Sequence, residues 1–153
     1  MNNIDTVEKY TSNSEEETLE LGRKFAERLK AGDVVAIEGD LGSGKTEFIK
    51  GIGEYFNVED TVNSPTFTIM NHYTGMLDDE EIDIFHIDLY RIENEKELAE
   101  IGFDECLHSP EYIKLIEWPN KAGDRINNLN YKIIINTDED NEVRREIEIL
   151  HLA

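Results

Sequence analysis

A glycine-rich turn that ends in Lys-Thr constrains this chain more than any other part of its sequence. The turn reads Gly39-Asp40-Leu41-Gly42-Ser43-Gly44-Lys45-Thr46. It matches the phosphate-binding pattern G-x-x-x-x-G-K-[ST] at every fixed position. Glycines let the backbone curl until successive N–H groups face one centre, where phosphate oxygens accept hydrogen bonds. A turn that only joined a strand to a helix would explain the glycines but not the Lys-Thr, so we predict a nucleotide site.

The segments on either side of the turn support this interpretation. Residues 33–38 form a short β-branched apolar run typical of a buried strand, and residues 45–56 carry apolar side chains at helical spacing. The amino terminus of that helix adds a partial positive charge. The predicted nucleotide-binding residues are Leu41, Gly42, Ser43, Gly44, Lys45 and Thr46. Among them, Lys45 is placed to reach the outer phosphates, and the Thr46 hydroxyl is placed to ligate Mg²⁺.

A phosphate-binding loop also needs an acidic partner for the metal, usually at the end of a neighbouring apolar strand. Two carboxylates fit this description. Asp88 follows the largely apolar run of residues 82–87, and Glu117 follows the largely apolar run of residues 112–116. Either one alone is as easily a solvated loop residue, because the chain is rich in acids. Their matching placement favours a role for both.

Three other features have two interpretations each. The Ser-Pro-Thr of residues 64–66 is typical of a turn before a strand. The alternative makes Thr66 a phosphate- or water-contacting residue on a switch-like loop. Trp118 is more often a packing residue than a functional one. His86 is expected to be structural, since the histidine spacing matches no metal site. The residues alone favour the structural interpretation of each.

The charge balance restricts the kinds of partner that the protein can bind. Lys and Arg total 15 against 35 Asp and Glu, which gives a formal net charge of −20. Such a field repels polyanions, and the chain has no basic cluster that would displace the counterions of a nucleic acid. Direct binding to DNA, to tRNA or to an anionic membrane is therefore not expected. Cys106 is the sole cysteine, and no segment resembles a signal peptide or a membrane span. We expect a cytoplasmic protein.

The length predicts a single domain over residues 1–153. Ser14 and Glu17 are spaced as a capping box, which predicts a helix that continues to a stop at Gly32. Asn94 is of a residue type that often caps the start of a helix, which predicts a second helix there. These helices and the strands between them predict an α/β fold.

Alternating or continuous apolar runs predict five further segments of β-strand. They lie at residues 66–73, 82–87, 113–117, 131–136 and 143–150. We expect the first two to form a hairpin around Gly75 and an acidic loop, and the last two to form a C-terminal hairpin. Residues 123–130 have the composition of a mobile loop. The predicted assembly is a mixed β-sheet flanked by helices.

Four blocks of this sequence together resemble the TsaE family, which is also named YjeE. They are the octapeptide, Ser64-Pro65-Thr66-Phe67, His86-Ile87-Asp88-Leu89-Tyr90-Arg91 and Glu117-Trp118-Pro119. Their order and the chain length agree with the family, and the resemblance extends over nearly the whole sequence. The octapeptide alone would be generic, whereas the other three blocks are specific in combination.

The resemblance implies roles for individual residues. It implies a P-loop fold that binds ATP or ADP with Mg²⁺ through Lys45 and Thr46. Glu117 corresponds to the metal-associated glutamate of the family, and Asp88 corresponds to its second important acid. Thr66 corresponds to its switch-like threonine. On this basis the predicted catalytic residues are Asp88, Glu117 and Thr66, and the predicted metal ligands are Thr46 and Glu117.

The resemblance also implies an activity and partners. The family acts with the proteins TsaD and TsaB in transferring a threonylcarbamoyl group to the adenosine next to the anticodon of tRNA. A weak, partner-stimulated, Mg²⁺-dependent ATPase is the expected activity. The acidic composition agrees with this role, because such a chain would reach tRNA only indirectly, through the complex.

One position departs from the family pattern, and two other function classes stay open. The residue after Thr46 is often a second threonine, whereas this chain has Glu47, which would weaken nucleotide affinity if it faced the phosphates. A small-molecule P-loop kinase would use the same Lys, Thr and Mg²⁺. It would also need cationic clamps on donor and acceptor, and no Arg-rich lid segment is present. The third class is a nucleotide-dependent binding module without meaningful hydrolysis.

Overall fold

The structure, a computed structural model, describes residues 4–59, 62 and 69–152. The prediction for Thr66 therefore lies outside the described residues. The strands are β1 (Ile4–Ser12), β2 (Val34–Glu38), β3 (Met70–Leu77), β4 (Glu80–Asp88), β5 (Tyr112–Glu117), β6 (Tyr131–Asp138) and β7 (Asn141–Leu152). The helices are α1 (Glu15–Ala26), α2 (Lys45–Tyr55), α3 (Lys96–Glu100) and α4 (Phe103–Leu107), and a 3₁₀ helix spans Pro119–Arg125.

The seven strands form one sheet in the order β1-β7-β6-β2-β5-β4-β3. Strand β2 is parallel to its neighbours β5 and β6, and β4 is parallel to β5. Strands β1, β3 and β7 are antiparallel to the strands beside them. The predicted mixed α/β sheet and its C-terminal hairpin, β6–β7, are therefore confirmed. The carboxyl ends of β2, β4 and β5 meet at one edge of the sheet.

The central strand β2 is buried on both faces, and its successive side chains point to opposite sides of the sheet. On β2, Val35 and Ile37 pack into one core with side chains of α1 and α2, including Phe48. Val34 packs into a second core with side chains of α3 and α4, including Leu98 and Phe103. Helices thus cover the sheet on two sides. In the described ranges, no helix is long and apolar enough to cross a bilayer.

Two glycines bring the backbones of α1 and α2 into direct contact. A Cβ atom at Gly22 would lie 2.0 Å from the carbonyl oxygen of Phe48, and one at Gly51 would lie 2.0 Å from that of Leu19. No side chain fits at such a distance. The close packing also brings α1 to the start of α2, where the Thr18 methyl would lie 3.7 Å from a Cβ at Gly44.

The capping box at the start of α1 is present, but the helix is shorter than predicted. The Ser14 hydroxyl accepts a hydrogen bond from the Glu17 N–H at 3.1 Å, and the Glu17 carboxylate accepts one from the Asn13 N–H. The helix ends at Ala26, and a tighter turn follows, with the Leu29 N–H bonded to the Ala26 carbonyl at 3.0 Å.

The predicted hairpin β3–β4 is present, and its turn lies in the acidic loop rather than at Gly75. Its turn lies at Asp78 and Asp79, whose φ angles are 52° and 65°. Gly75 lies within β3, where a Cβ would come 2.5 Å from the carbonyl oxygen of Phe56. A glycine inside this strand therefore marks a close approach of backbone rather than a turn.

The structure adds one strand and a 3₁₀ helix to the elements that the sequence predicted. Strand β1, at the sheet edge, is polar and mostly exposed, and it is ordered by its antiparallel pairing with β7. In the segment predicted as a mobile loop, residues 123–125 belong to the 3₁₀ helix and residues 126–129 form no helix or strand. The side-chain oxygen of Asn130 accepts a hydrogen bond from the Val34 N–H at 2.8 Å. The backbone carbonyl of Asn130 accepts one from the Leu152 N–H at 2.9 Å.

Candidate functional site

The phosphate-binding loop connects β2 to α2 at the carboxyl edge of the sheet. Gly42 and Gly44 have φ angles of 78° and 105°, a region that favours glycine. A Cβ at Gly42 would meet no atom within 4 Å, so the loop opens into free space there. The Phe48 N–H donates to the Gly44 carbonyl at 3.1 Å and closes the first turn of α2. The N–H groups of this turn lie where an anion is stabilised by the helix terminus.

A cavity of about 450 Å³ adjoins the loop. Four segments form its walls: the start of α1, the loop with the first turn of α2, the end of β4 and the end of β5. The lining residues are Glu15, residues 41–47, Asp88, Tyr90, Arg91, Glu117 and Trp118. The structure therefore brings all six predicted nucleotide-binding residues and both predicted acids to one cavity, while their roles stay predictions.

Lys45 is 6% exposed, and its ammonium group has two neighbours. Its Nζ donates to the Gly39 carbonyl at 2.5 Å and lies 4.3 Å from the centre of the Trp118 ring. Burial lowers the pKa of Lys45, and the nearby carboxylates, led by Glu117 and then Asp88, oppose this shift. The lysine is thus held by a carbonyl and an aromatic face beside two acids.

Asp88 and Glu117 are opposite each other in the register of the parallel strands β4 and β5. Burial raises the pKa of Asp88, and the charge of Glu117 raises it further. The Asp88 carboxylate also accepts a hydrogen bond from the Tyr90 N–H at 3.0 Å. Two acids in adjacent strands therefore lie close enough to repel each other, which a bound cation would relieve.

His86 contacts one of these acids directly. Its Nε2 donates to the Glu117 carboxylate at 2.6 Å, and both side chains are almost fully buried. The Tyr73 hydroxyl lies 3.5 Å from the other ring nitrogen. Residues two apart on a strand point to the same face, so the spacing of His86 and Asp88 could have indicated that this histidine lies behind the acids.

Trp118 has a left-handed backbone, with φ of 57° and ψ of 53°, directly after β5. A non-glycine residue in this region carries strain, which surrounding contacts must offset. Its ring packs 5.0 Å from that of Tyr90 and forms the aromatic face against Lys45. Trp118 is thus both a packing residue and a wall of the cavity, so the two interpretations of its sequence position are compatible.

Glu47 faces a cation rather than standing alone. Its carboxylate lies 3.3 Å from the Lys50 ammonium group on the same helix, although the residue also lines the cavity. The sequence alone predicts no role for Arg91, which lines the same cavity. Its position three residues after Asp88 is the feature of the sequence that could have indicated this placement.

The oxygen donors around the cavity are of the kind that Mg²⁺ prefers, namely the Thr46 hydroxyl and the carboxylates of Asp88 and Glu117. Across the part of the chain that the structure describes, no three His, Cys, Asp or Glu side chains form a ready-made ion site. Mg²⁺ usually binds through one or two carboxylates, waters and phosphate oxygens rather than in an all-protein cage. The donor set therefore fits a magnesium ion that binds together with a nucleotide.

We predict that His86→Ala lowers the free energy of unfolding by about 3 kcal/mol, because it leaves the Glu117 carboxylate buried without its partner. Urea unfolding followed by circular dichroism measures this change. His72→Ala is the control, since His72 on β3 pairs with the exposed Asp83 on β4 and should change stability much less. Equal losses of unfolding free energy in the two variants would show that the buried pair contributes no more to stability than the exposed pair.

Comparison with known proteins identifies the family of this chain. A profile of the family described as "Threonylcarbamoyl adenosine biosynthesis protein TsaE" matches residues 12–147. The tRNA threonylcarbamoyladenosine biosynthesis protein TsaE of Bacillus subtilis is 37% identical over 139 residues, which cover 91% of this chain and 82% of the relative. The Rickettsia conorii protein of the same name is 43% identical over 110 residues, 71% of this chain and 59% of the relative.

A solved structure agrees with these sequence matches. The crystal structure of YdiB from Bacillus subtilis superposes with a TM-score of 0.77 and 28% sequence identity, covering 99% of this chain and 88% of that chain. The family and the P-loop-like fold suggest nucleotide binding at the cavity described above. The chain belongs to the TsaE family.

Proposed function

We propose that this protein is a weak, Mg²⁺-dependent ATPase that supports the formation of threonylcarbamoyladenosine in tRNA. The observation that carries the proposal is the arrangement at the carboxyl edge of the sheet, where the phosphate-binding loop and Lys45 face the register-paired Asp88 and Glu117. The relatives, which are named as threonylcarbamoyladenosine biosynthesis proteins, support the assignment to this pathway. We further propose that residues 1–153 act as one cytoplasmic domain.

The loop and Lys45 bind the polyphosphate of ATP or ADP. Backbone N–H groups of residues 41–46 donate to phosphate oxygens, and the start of α2 stabilises their charge. In the structure, the Lys45 ammonium group contacts the Gly39 carbonyl and the Trp118 ring. A phosphate provides a stronger, charged acceptor than a carbonyl, so Lys45 exchanges these contacts for the outer phosphates when nucleotide binds.

Charge balance explains why the site requires a divalent cation. Among the described residues that line the cavity, the carboxylates belong to Glu15, Glu47, Asp88 and Glu117, and the cations belong to Lys45 and Arg91. Added phosphates would increase the negative charge. Thr46 and Glu117 would hold Mg²⁺, directly or through water, and the bound ion would supply positive charge to the phosphate oxygens.

Hydrolysis transfers the terminal phosphoryl group to water. The water oxygen bonds to the outer phosphorus as the bond to the bridging oxygen breaks, which gives ADP and inorganic phosphate. Asp88 lies beside Glu117 and orients the attacking water. His86 holds the Glu117 carboxylate in place at 2.6 Å. Thr66, which lies outside the described residues, is proposed to contact phosphate or water from a switch-like loop.

The partners follow from the family and from charge. We propose that TsaB and TsaD bind this protein and that tRNA is reached only through their complex. A net charge of −20 opposes direct contact with a polyanion, whereas a protein partner can provide basic surface. P-loop proteins of this kind gain catalytic power when a partner orders a loop or supplies a cation. The ATPase would then reset or regulate the partner complex.

We predict that Lys45→Ala weakens ATP binding by at least about tenfold, because it removes the side-chain cation that faces the outer phosphates. Isothermal titration of ATP in the presence of Mg²⁺ measures the affinity. Lys50→Ala is the control, since Lys50 lies on the same helix but pairs with Glu47. Unaltered affinity in a folded Lys45→Ala variant would contradict nucleotide binding at this cavity.

We predict that the isolated protein releases phosphate from ATP slowly and that TsaB with TsaD raises the rate by at least about tenfold. Phosphate release is measured for this protein, for the partners and for the mixture, each with a Lys45→Ala control. A mixture rate equal to the sum of the separate rates would rule out partner activation. Phosphate appearing on an added small-molecule acceptor, instead of in solution, would identify a kinase.

A further inference from the structure

One arginine from the C-terminal hairpin reaches the phosphate-binding loop across the sheet. Arg145 lies on β7, and its Nε donates to the carbonyl oxygen of Ser43 at 2.8 Å. Its Nη2 donates to the carbonyl oxygen of Gly42 at 3.4 Å. The third nitrogen, Nη1, donates to the carbonyls of Glu142 and Arg144 at 2.7 and 2.9 Å. A single guanidinium group thus joins the loop to the hairpin.

The orientation of these loop carbonyls matters for anion binding. In a loop that turns its N–H groups toward a phosphate, the neighbouring carbonyls must point away and still need donors. The guanidinium group presents several N–H donors in a fixed plane, so it can serve two consecutive peptide units at once. Arg145 meets this requirement for Gly42 and Ser43, the residues that precede the start of α2.

Arg145 also adds charge and support behind the loop. A Cβ at Gly44 would lie 4.0 Å from Arg145 Nε, so the arginine packs against the part of the loop that requires a left-handed backbone. A cavity of about 260 Å³ beside this part of the loop is lined by Gly44, Arg145 and Thr18. The permanent positive charge there adds to the field that attracts phosphate, in a chain of net charge −20.

We propose that Arg145 is a positioning residue of the nucleotide site. From β7 it holds the Gly42 and Ser43 carbonyls away from the phosphates, so that the loop N–H groups stay directed toward the nucleotide. The inference rests on the proposed nucleotide binding and deepens it, because it makes the C-terminal hairpin part of the phosphate-binding apparatus.

The neighbouring arginine provides a matched control. Arg144 lies on the same strand, and its Nε pairs with the carboxylates of Asp138 and Glu146 at 3.6 and 3.1 Å. Its side chain pairs within the hairpin, and it points away from Arg145 because successive residues of a strand point to opposite faces. Arg144→Ala therefore removes the same charge from the same strand without removing the support of the loop.

The test compares ADP affinity and ATP turnover in the wild type, Arg145→Ala, Arg145→Lys and Arg144→Ala. We expect Arg145→Ala to weaken ADP binding and raise the KM for ATP by about tenfold, with kcat at saturation changed much less. Arg145→Lys should regain only part of the affinity, because a lysine carries the charge without the planar fork. Arg144→Ala should bind ADP like the wild type.

Thermal unfolding without nucleotide separates positioning from stability. We expect Arg145→Ala and Arg144→Ala to unfold at similar temperatures, while ADP stabilises only the second to the wild-type extent. Wild-type ADP affinity in a folded Arg145→Ala protein, or in Arg145→Lys if the alanine variant does not fold, overturns the inference. Absence of ADP binding by the wild-type protein would instead overturn the proposed function.

Discussion

The placement of one lysine beside a buried acid, Glu117, and a half-buried acid, Asp88, is the constraint on which the rest of the site depends. Lys45 begins α2, while Asp88 and Glu117 end adjacent parallel strands, so the sheet register fixes all three near one cavity. Buried like charges are costly unless they are compensated. The protein compensates them in part with Lys45 and with the hydrogen bond from His86. Bound phosphate would take Lys45 from the acids, which is why we propose that a cation accompanies it.

Distant parts of the chain support this edge of the sheet. The backbone contact made possible by Gly22 and Gly51 sets α1 against α2, beside the loop. The left-handed Trp118 directs its ring toward Lys45 at the end of β5. The hairpin β6–β7 brings Arg145 to the loop carbonyls. The nucleotide site is therefore built by the whole sheet rather than by the octapeptide alone.

The sequence was sufficient to predict an element or a site residue where the pattern involved neighbouring residues. The octapeptide, the buried strand before it and the acids after apolar runs depend on neighbouring residues, and the structure brings them together as the pattern suggests. The contacts of His86 and Arg145 join residues 31 and 102 positions apart, so periodicity gives no sign of them. Strand β1 is missed for a related reason: its polar, exposed residues have no apolar pattern, and pairing with β7 defines it.

Binding of Mn²⁺, as a spectroscopic substitute for Mg²⁺, tests the central claim most directly. Electron paramagnetic resonance measures the bound ion with and without ADP, in the wild type and in Glu117→Gln, a variant whose amide can still accept the hydrogen bond from His86. The account predicts that the wild type binds Mn²⁺ tightly only when ADP is present and that Glu117→Gln weakens this binding by about tenfold or more. Identical Mn²⁺ titrations for the two proteins, or tight binding without nucleotide, would contradict it.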